Sequence, residues 1–149
     1  MLKSKQKGFS MIELMVVLVI GAILISAIMQ RTSRAETAQL KQRFVDDVAL
    51  IASQAKGWKG TKSAYTGISM TTMTGMALLD TTWGAGTGVN PVGGNYTVTV
   101  NGTDSAAINV TATGMENSLC LQVENAIEPS TKGGNTAACA GGTLTATFK

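Results

Sequence analysis

Residues 14–29 contain no charged side chain and no polar one except Ser26. That run limits the possible folds more than any other part of the chain. Nothing so uniformly apolar can lie on the surface of an ordinary soluble domain. Read as a helix from Phe9 to Met29, it is about 31 Å long at a rise of about 1.5 Å per residue. A bilayer hydrocarbon core is about 30 Å thick. Lys3, Lys5 and Lys7 precede the run, so this end stays cytoplasmic and the chain beyond the helix faces outside. Arg31 and Arg34 follow it and can snorkel to the outer interface.

Glu13 contradicts its surroundings. It stands a turn inside the apolar helix, where an acidic residue costs about 2.5–3.5 kcal/mol on lenient insertion scales. Such a residue needs a partner, and the apolar run offers no Lys or Arg. A new α-ammonium group would serve if the chain were cut just before Phe9. Two plainer readings compete. A secretory signal peptide requires a small-x-small site close after the apolar stretch. Ser33-Arg34-Ala35 is the nearest candidate, but basic residues crowd it. A plain signal anchor leaves Glu13 without a role.

The segment Lys7-Gly8-Phe9-Ser10-Met11-Ile12-Glu13, followed by the apolar run, resembles the class III leader of type IV prepilins and type II secretion pseudopilins. The resemblance implies cleavage between Gly8 and Phe9 by a prepilin peptidase, with N-methylation of Phe9 by the same enzyme. It implies that Glu13 neutralises the Phe9 ammonium of a neighbouring subunit during assembly. It implies a homopolymer, driven by an assembly ATPase with an inner-membrane platform protein. The precursor would lie in the inner membrane and the product in an extracellular filament. The division expected is a leader at 1–8, a filament-core helix half at 9–30, an amphipathic half at 31–56 and a head at 57–149.

Residues 31–56 contain neither Pro nor Gly, and Leu40, Phe44, Val48, Ile51 and Ala55 recur at spacings of three and four. This is one buried stripe of an amphipathic helix. With the apolar half it makes a single helix of about 72 Å, too long for a small head to cover. Gly57 is a plausible stop. Pilins often carry a proline in the exposed half, and this chain has only Pro91 and Pro129. Gly21, and to a lesser degree Ser26, are then the weak points of the span.

Residues 58–92 read as loop, with one short strand or helix near 70–79. Residues 96–100 and 107–112 alternate as strands, and Asn101-Gly102 begins a hairpin connection. Residues 113–127 read as a helix carrying Met115, Leu119 and Val123 on one face, or as a strand over 118–123. Residues 129–142 read as loop and 143–148 as a last strand. The fold class expected is α+β: a long N-terminal helix packed on a small antiparallel sheet. The leader resembles type IVa pilins, and the Cys-bearing helix after a strand resembles type IVb.

Cys120 and Cys139 are the only cysteines. In an exported chain they read as one disulfide, which stabilises by about 3 kcal/mol on the chain-entropy model. In a reducing cytosol they would be two thiols. The net charge of +3 comes from the leader lysines; without them 9 basic residues face 9 acidic ones. The basic pI is therefore no sign of nucleic-acid binding. Lys56, Lys59 and Lys62 around Trp58 and Tyr65 suggest a patch for DNA or a host surface, or simply a solvated turn. The latter fits their irregular spacing better. The chain has no histidine, so no Ser-His-Asp set and no ordinary zinc site, and its acids lack calcium-loop spacing. No cofactor or enzymatic activity is implied. Asn95, Asn101 and Asn109 match the glycosylation pattern by coincidence in a Thr-rich chain. The rival readings are a type II pseudopilin, a minor pilin, and a monomeric membrane-anchored binding protein.

Overall fold

The computed structural model describes residues 10–127 and 136–149, apart from the side chains of 30–33. The elements run α1 (Met11–Lys59), α2 (Met70–Gly75), a 3-10 turn (Thr81–Trp83), β1 (Tyr96–Val100), β2 (Ile108–Ala112), α3 (Asn117–Ile127), β3 (Thr136–Ala140) and β4 (Thr143–Phe148). The class is α+β, with a long N-terminal helix and a four-stranded antiparallel sheet in the order β1-β2-β4-β3. By internal contacts the chain divides after Ala38. The described part of the first unit is helix from Met11 onward. The second, from Gln39 onward, holds the core.

That core follows from two periodicities. On α1 the stripe Phe44, Val48, Ile51 and Ala55 is buried, as 3.6-residue spacing requires. On the sheet, alternation puts Tyr96 and Val98, then Ile108, Val110 and Ala112, then Leu144, Ala146 and Phe148 on the inner face. The pairings Val98↔Val110 and Val110↔Ala146 keep like with like across strands. Helix α3 contributes Leu119, Cys120, Val123 and Ile127. The solvent face is a field of Thr97, Thr99, Thr111, Thr145 and Thr147 around Asn109. The Asn109 Oδ1 accepts hydrogen bonds from Asn101 Nδ2 and Thr147 Oγ1, each at 2.9 Å.

Tyr96 pins α1 to the sheet. Its ring meets Phe44 edge-on at 6.2 Å and Trp83 at 5.6 Å. Its hydroxyl donates to Asp47 Oδ2 at 2.9 Å. Asn90 is the buried polar anchor of the loop before β1. Its Oδ1 accepts from the Gly94 and Val92 N–H groups at 2.7 and 3.2 Å, and its Nδ2 donates to the Thr113 carbonyl at 2.7 Å.

Several expectations need correction. Helix α1 passes through Gly57 and ends at Lys59. The stop is Gly60, at φ +49°, whose N–H donates to the Lys56 carbonyl at 3.1 Å. A left-handed backbone is what ends a helix here, and Gly60 adopts it without steric cost. Asn101-Gly102 begins the connection between the antiparallel strands β1 and β2, as expected. Asn101 Oδ1 accepts from the N–H groups of Thr103 and Asp104 at 2.9 and 3.1 Å, organising a longer connection to Ala107. Of residues 113–127, Asn117–Ile127 form a helix, the first of the two readings, and Met115 is buried just before its start. The loop expected over 129–142 contains β3 from Thr136; its part through 135 lies outside the described residues. Gly141 and Gly142, at φ +55° and +73°, close a two-residue turn between β3 and β4.

The disulfide is closed between Cys120 of α3 and Cys139 of β3, with Cα atoms 5.9 Å apart. Replacing both cysteines by Ala should lower unfolding stability by about 3 kcal/mol, the loop-entropy value for a loop of this size. Denaturant unfolding of the oxidised chain and the variant in the same detergent measures it. Asp47 is held above its ordinary value of 3.8, because burial opposes ionisation more than the Tyr96 hydroxyl favours it. The fold thus binds this proton more tightly than the unfolded chain does. Its stabilising contribution is full below 3.8 and is lost as pH rises through the raised value. Asp47→Asn, always neutral, should therefore gain stability relative to wild type as pH rises from acid to neutrality. Unfolding curves across that range show whether the gap opens.

Candidate assembly segment

The first turn of α1 is built by Ser10 and Glu13. The Ser10 carbonyl accepts the first helical hydrogen bond from the Leu14 N–H at 3.1 Å. The Ser10 N–H donates to Glu13 Oε2 at 3.0 Å. Ser10 thus stands at the N-cap position, and Glu13 reaches back to its N–H, one of the two bonds of a capping box. Glu13 also lies in the first turn, where the helix end favours negative charge. Among the described residues, then, the carboxylate has a local partner in the Ser10 backbone N–H. A carboxylate has further lone pairs to offer. Sequence reasoning missed this contact, although Ser-x-x-Glu before an apolar run is its readable signal.

Beyond the cap, α1 presents bare apolar surface. Val16, Val17, Leu18 and Val19 point in four different directions around the helix, yet each is more than half exposed. An 18-residue window reaches a mean hydropathy of 2.7, with none of it buried. By length and composition the helix can cross a membrane. Gly21 has no atom near its missing Cβ, and the Ser26 hydroxyl donates back to the Ala22 carbonyl at 2.8 Å. Ser26 therefore completes its polar requirement within its own helix. Gly8 and Phe9, the expected cleavage and methylation positions, lie outside the described residues, as does the Arg31 side chain.

The other places singled out by sequence belong to the second unit. The Lys62 ammonium sits 3.9 Å from the Trp58 ring centroid, and that of Lys59 sits 4.7 Å from the Tyr65 ring. Lys59 also donates to the Ala106 carbonyl at 3.3 Å. Tyr65 is buried, so it cannot stack on a base. These cations hold the end of α1 against the loop that follows it. The side chains of Asn95, Asn101 and Asn109 are engaged in hydrogen bonds within the chain. No cluster of three or more metal-binding side chains occurs among the described residues.

Comparison with protein families matches residues 3–29 to the prokaryotic N-terminal methylation motif. No curated protein and no solved structure matches the chain. The matched stretch holds Gly8, Phe9, the Ser10–Glu13 cap and the apolar run to Met29. Residues 3–29 therefore carry a class III prepilin leader, and leader and fold together are consistent with a type IV pilin-like protein.

Proposed function

We propose that this chain is the structural subunit, as the major pilin, of a type IV pilus. A prepilin peptidase removes residues 1–8 and methylates Phe9. The helix then passes from the inner membrane into the core of an extracellular filament. The supporting observation is the exposed apolar half of α1, which begins at a capped Glu13 inside the matched leader. A segment of that kind needs lipid or other apolar helices around it. Glu13 supplies the selectivity. Lipid leaves its charge unpaired, whereas a neighbouring subunit brings the Phe9 ammonium. The leader points to a structural role rather than an enzymatic one. The ATPase, the platform protein and the filament's use in adhesion, motility or DNA uptake come from the resemblance alone.

The second reading is a type II secretion pseudopilin. By resemblance, its major form binds calcium in an acidic C-terminal loop and lacks a disulfide. Residues 131–149 contain no Asp or Glu, and Cys120 is bonded to Cys139. Both observations favour the pilus.

Mass spectrometry of the chain from its native host tests the processing. The expected product begins at Phe9 and carries one added methyl group. A product beginning at Met1, or one cut near Ala35, overturns the proposal. A pair of substitutions then separates the two roles of Glu13. Glu13→Gln keeps an acceptor for the Ser10 N–H but removes the charge, and Glu13→Ala removes both. Leaving an ammonium and a neutral partner at membrane depth costs a few kcal/mol, so both variants should lower filament yield by more than about tenfold. Membrane levels of the precursor should not change. Near-normal filaments from Glu13→Gln would mean that Glu13 serves only as the helix cap.

A further inference from the structure

The charged side chains of the second unit are sorted toward its two ends. Within this unit α1 and β1 run in the same direction. Asp47 meets the hydroxyl of Tyr96, which opens β1. Lys59, at the end of α1, donates to the Ala106 carbonyl, past the last residue of β1.

The late end is basic. Lys56 and Lys59 lie in the last turn of α1, and Lys62 follows on the Trp58 ring. Lys149 joins them through Asp104, which lies in the field of both Lys149 and Lys59. Among the described residues Asp104 is the acid of this end. The early end is acidic. Asp46 and Asp47 lie there on α1. Asp80 caps the turn Thr81–Trp83, whose Trp83 ring packs on Tyr96 at 5.6 Å. Glu116 follows Met115, whose N–H donates to Gly142 just before β4. Lys41 and Arg43 are the bases of this end, and the acids outnumber them. Glu124, along α3, belongs to neither end. Lys56 and Lys62 at one end, and Asp46 and Glu116 at the other, are exposed.

Contact between equal ends brings like charges together, and contact between opposite ends matches them. Two arrangements achieve the match. An antiparallel pair does so by reversing α1 between the copies. Copies inserted the same way through one apolar helix cannot adopt it. In the other arrangement the copies keep one direction and are displaced along it. The late end of one then reaches the early end of the next. That contact is heterologous and repeats without closing.

We propose that Lys56 and Lys62 at the late end of one copy dock on Asp46 and Glu116 at the early end of a second copy, displaced along the direction of α1. The inference rests on the pilus reading, since a filament displaces its copies in this way. Exposed ion pairs are individually weak. The contact therefore sets the direction and register of neighbouring heads, while the apolar helices supply the affinity.

The test is carbodiimide coupling of filaments from the native host in low-salt buffer, followed by peptide mapping. The reagent joins an ammonium to a carboxylate that touches it, with loss of one water. Lys149 and Asp104, 2.9 Å apart within each copy, are the internal control. Lys56 and Asp46 cannot couple within a copy, because ten residues of one helix, about 15 Å, separate them. The expected result is links from Lys56 or Lys62 to Asp46 or Glu116. Fibres in which the control pair couples and these links are missing overturn the inference and leave the pilus reading standing. Absence of fibres overturns both. A charge swap adds a second measurement. Lys56→Glu with Lys62→Glu should lower filament yield several-fold, and adding Asp46→Lys with Glu116→Lys should restore it. A swap that yields no more than the reversal, with the Cys120–Cys139 bridge intact in both, also overturns the inference.

Discussion

The apolar flank of α1 must leave water, and the described residues supply nothing to cover it. Fourteen large apolar side chains between Met11 and Met29 are more than half exposed. Burying one such side chain is worth about 1.5–3 kcal/mol, so together they exceed the about 5–15 kcal/mol that holds a typical domain folded. The surroundings of this segment therefore decide where the molecule resides. Lipid satisfies the requirement, and so do other copies of the helix. Because lipid tails are as apolar as Leu and Ile, moving from one to the other gains little hydrophobic free energy. For the proposed filament to form, packing and polar pairing must favour the assembled state. In this segment the group best able to tell the two environments apart is Glu13, at the end where the leader is expected to be cut.

The second unit answers a different requirement. From Gln39 onward α1 no longer needs lipid, since Phe44, Val48, Ile51 and Ala55 find the inner face of the sheet. One helix thus changes character along its length while keeping its backbone regular. Its polar residues are adjusted to the contact. Asp47 accepts the hydroxyl hydrogen bond that a buried Tyr96 requires, and burial together with that carboxylate keeps the phenol protonated. At the open end of the head, Asp104 pairs with Lys149 at 2.9 Å and is held below its usual value, first by that contact and then by the Ala106 N–H. Both residues are substantially exposed, so the pair adds little to stability.

Elements governed by strong periodicity were legible in the sequence. The buried stripe of α1, strands β1, β2 and β4, and the single-faced α3 each repeat apolar residues at the spacing of their own geometry. Features fixed by a local hydrogen bond or a tertiary partner were harder to read. Gly57 and Gly60 are both reasonable helix stops, and only the backbone shows which one turns left-handed. Thr-Ala-Ala-Cys-Ala has almost no strand propensity, so β3 looked like loop. Its signal lay next to it, in Gly141-Gly142 followed by an alternating run. Gly142 is also bound from the other side. A Cβ there would run into the Met115 carbonyl, and the Met115 N–H donates to the Gly142 carbonyl at 3.1 Å. At the functional end, Glu13 was conspicuous as a charge in an apolar run. Its bond to Ser10 was overlooked because a search for a cation passes over a backbone N–H.

The low propensity of β3 gives the disulfide a second consequence. An Ala-rich strand gains little from its own side chains, so its order must come from the ladder with β4 and from the bond at Cys139. That bond can persist only in an oxidising compartment. In a reducing cytosol the same residues are a short, uncharged segment with little to hold them extended, and an edge that is not formed cannot template pairing with other chains. Once the chain beyond α1 meets oxidant, closing Cys120 to Cys139 fixes α3 and β3 together. The bond that stabilises the head thus also helps to hold β3 in the sheet.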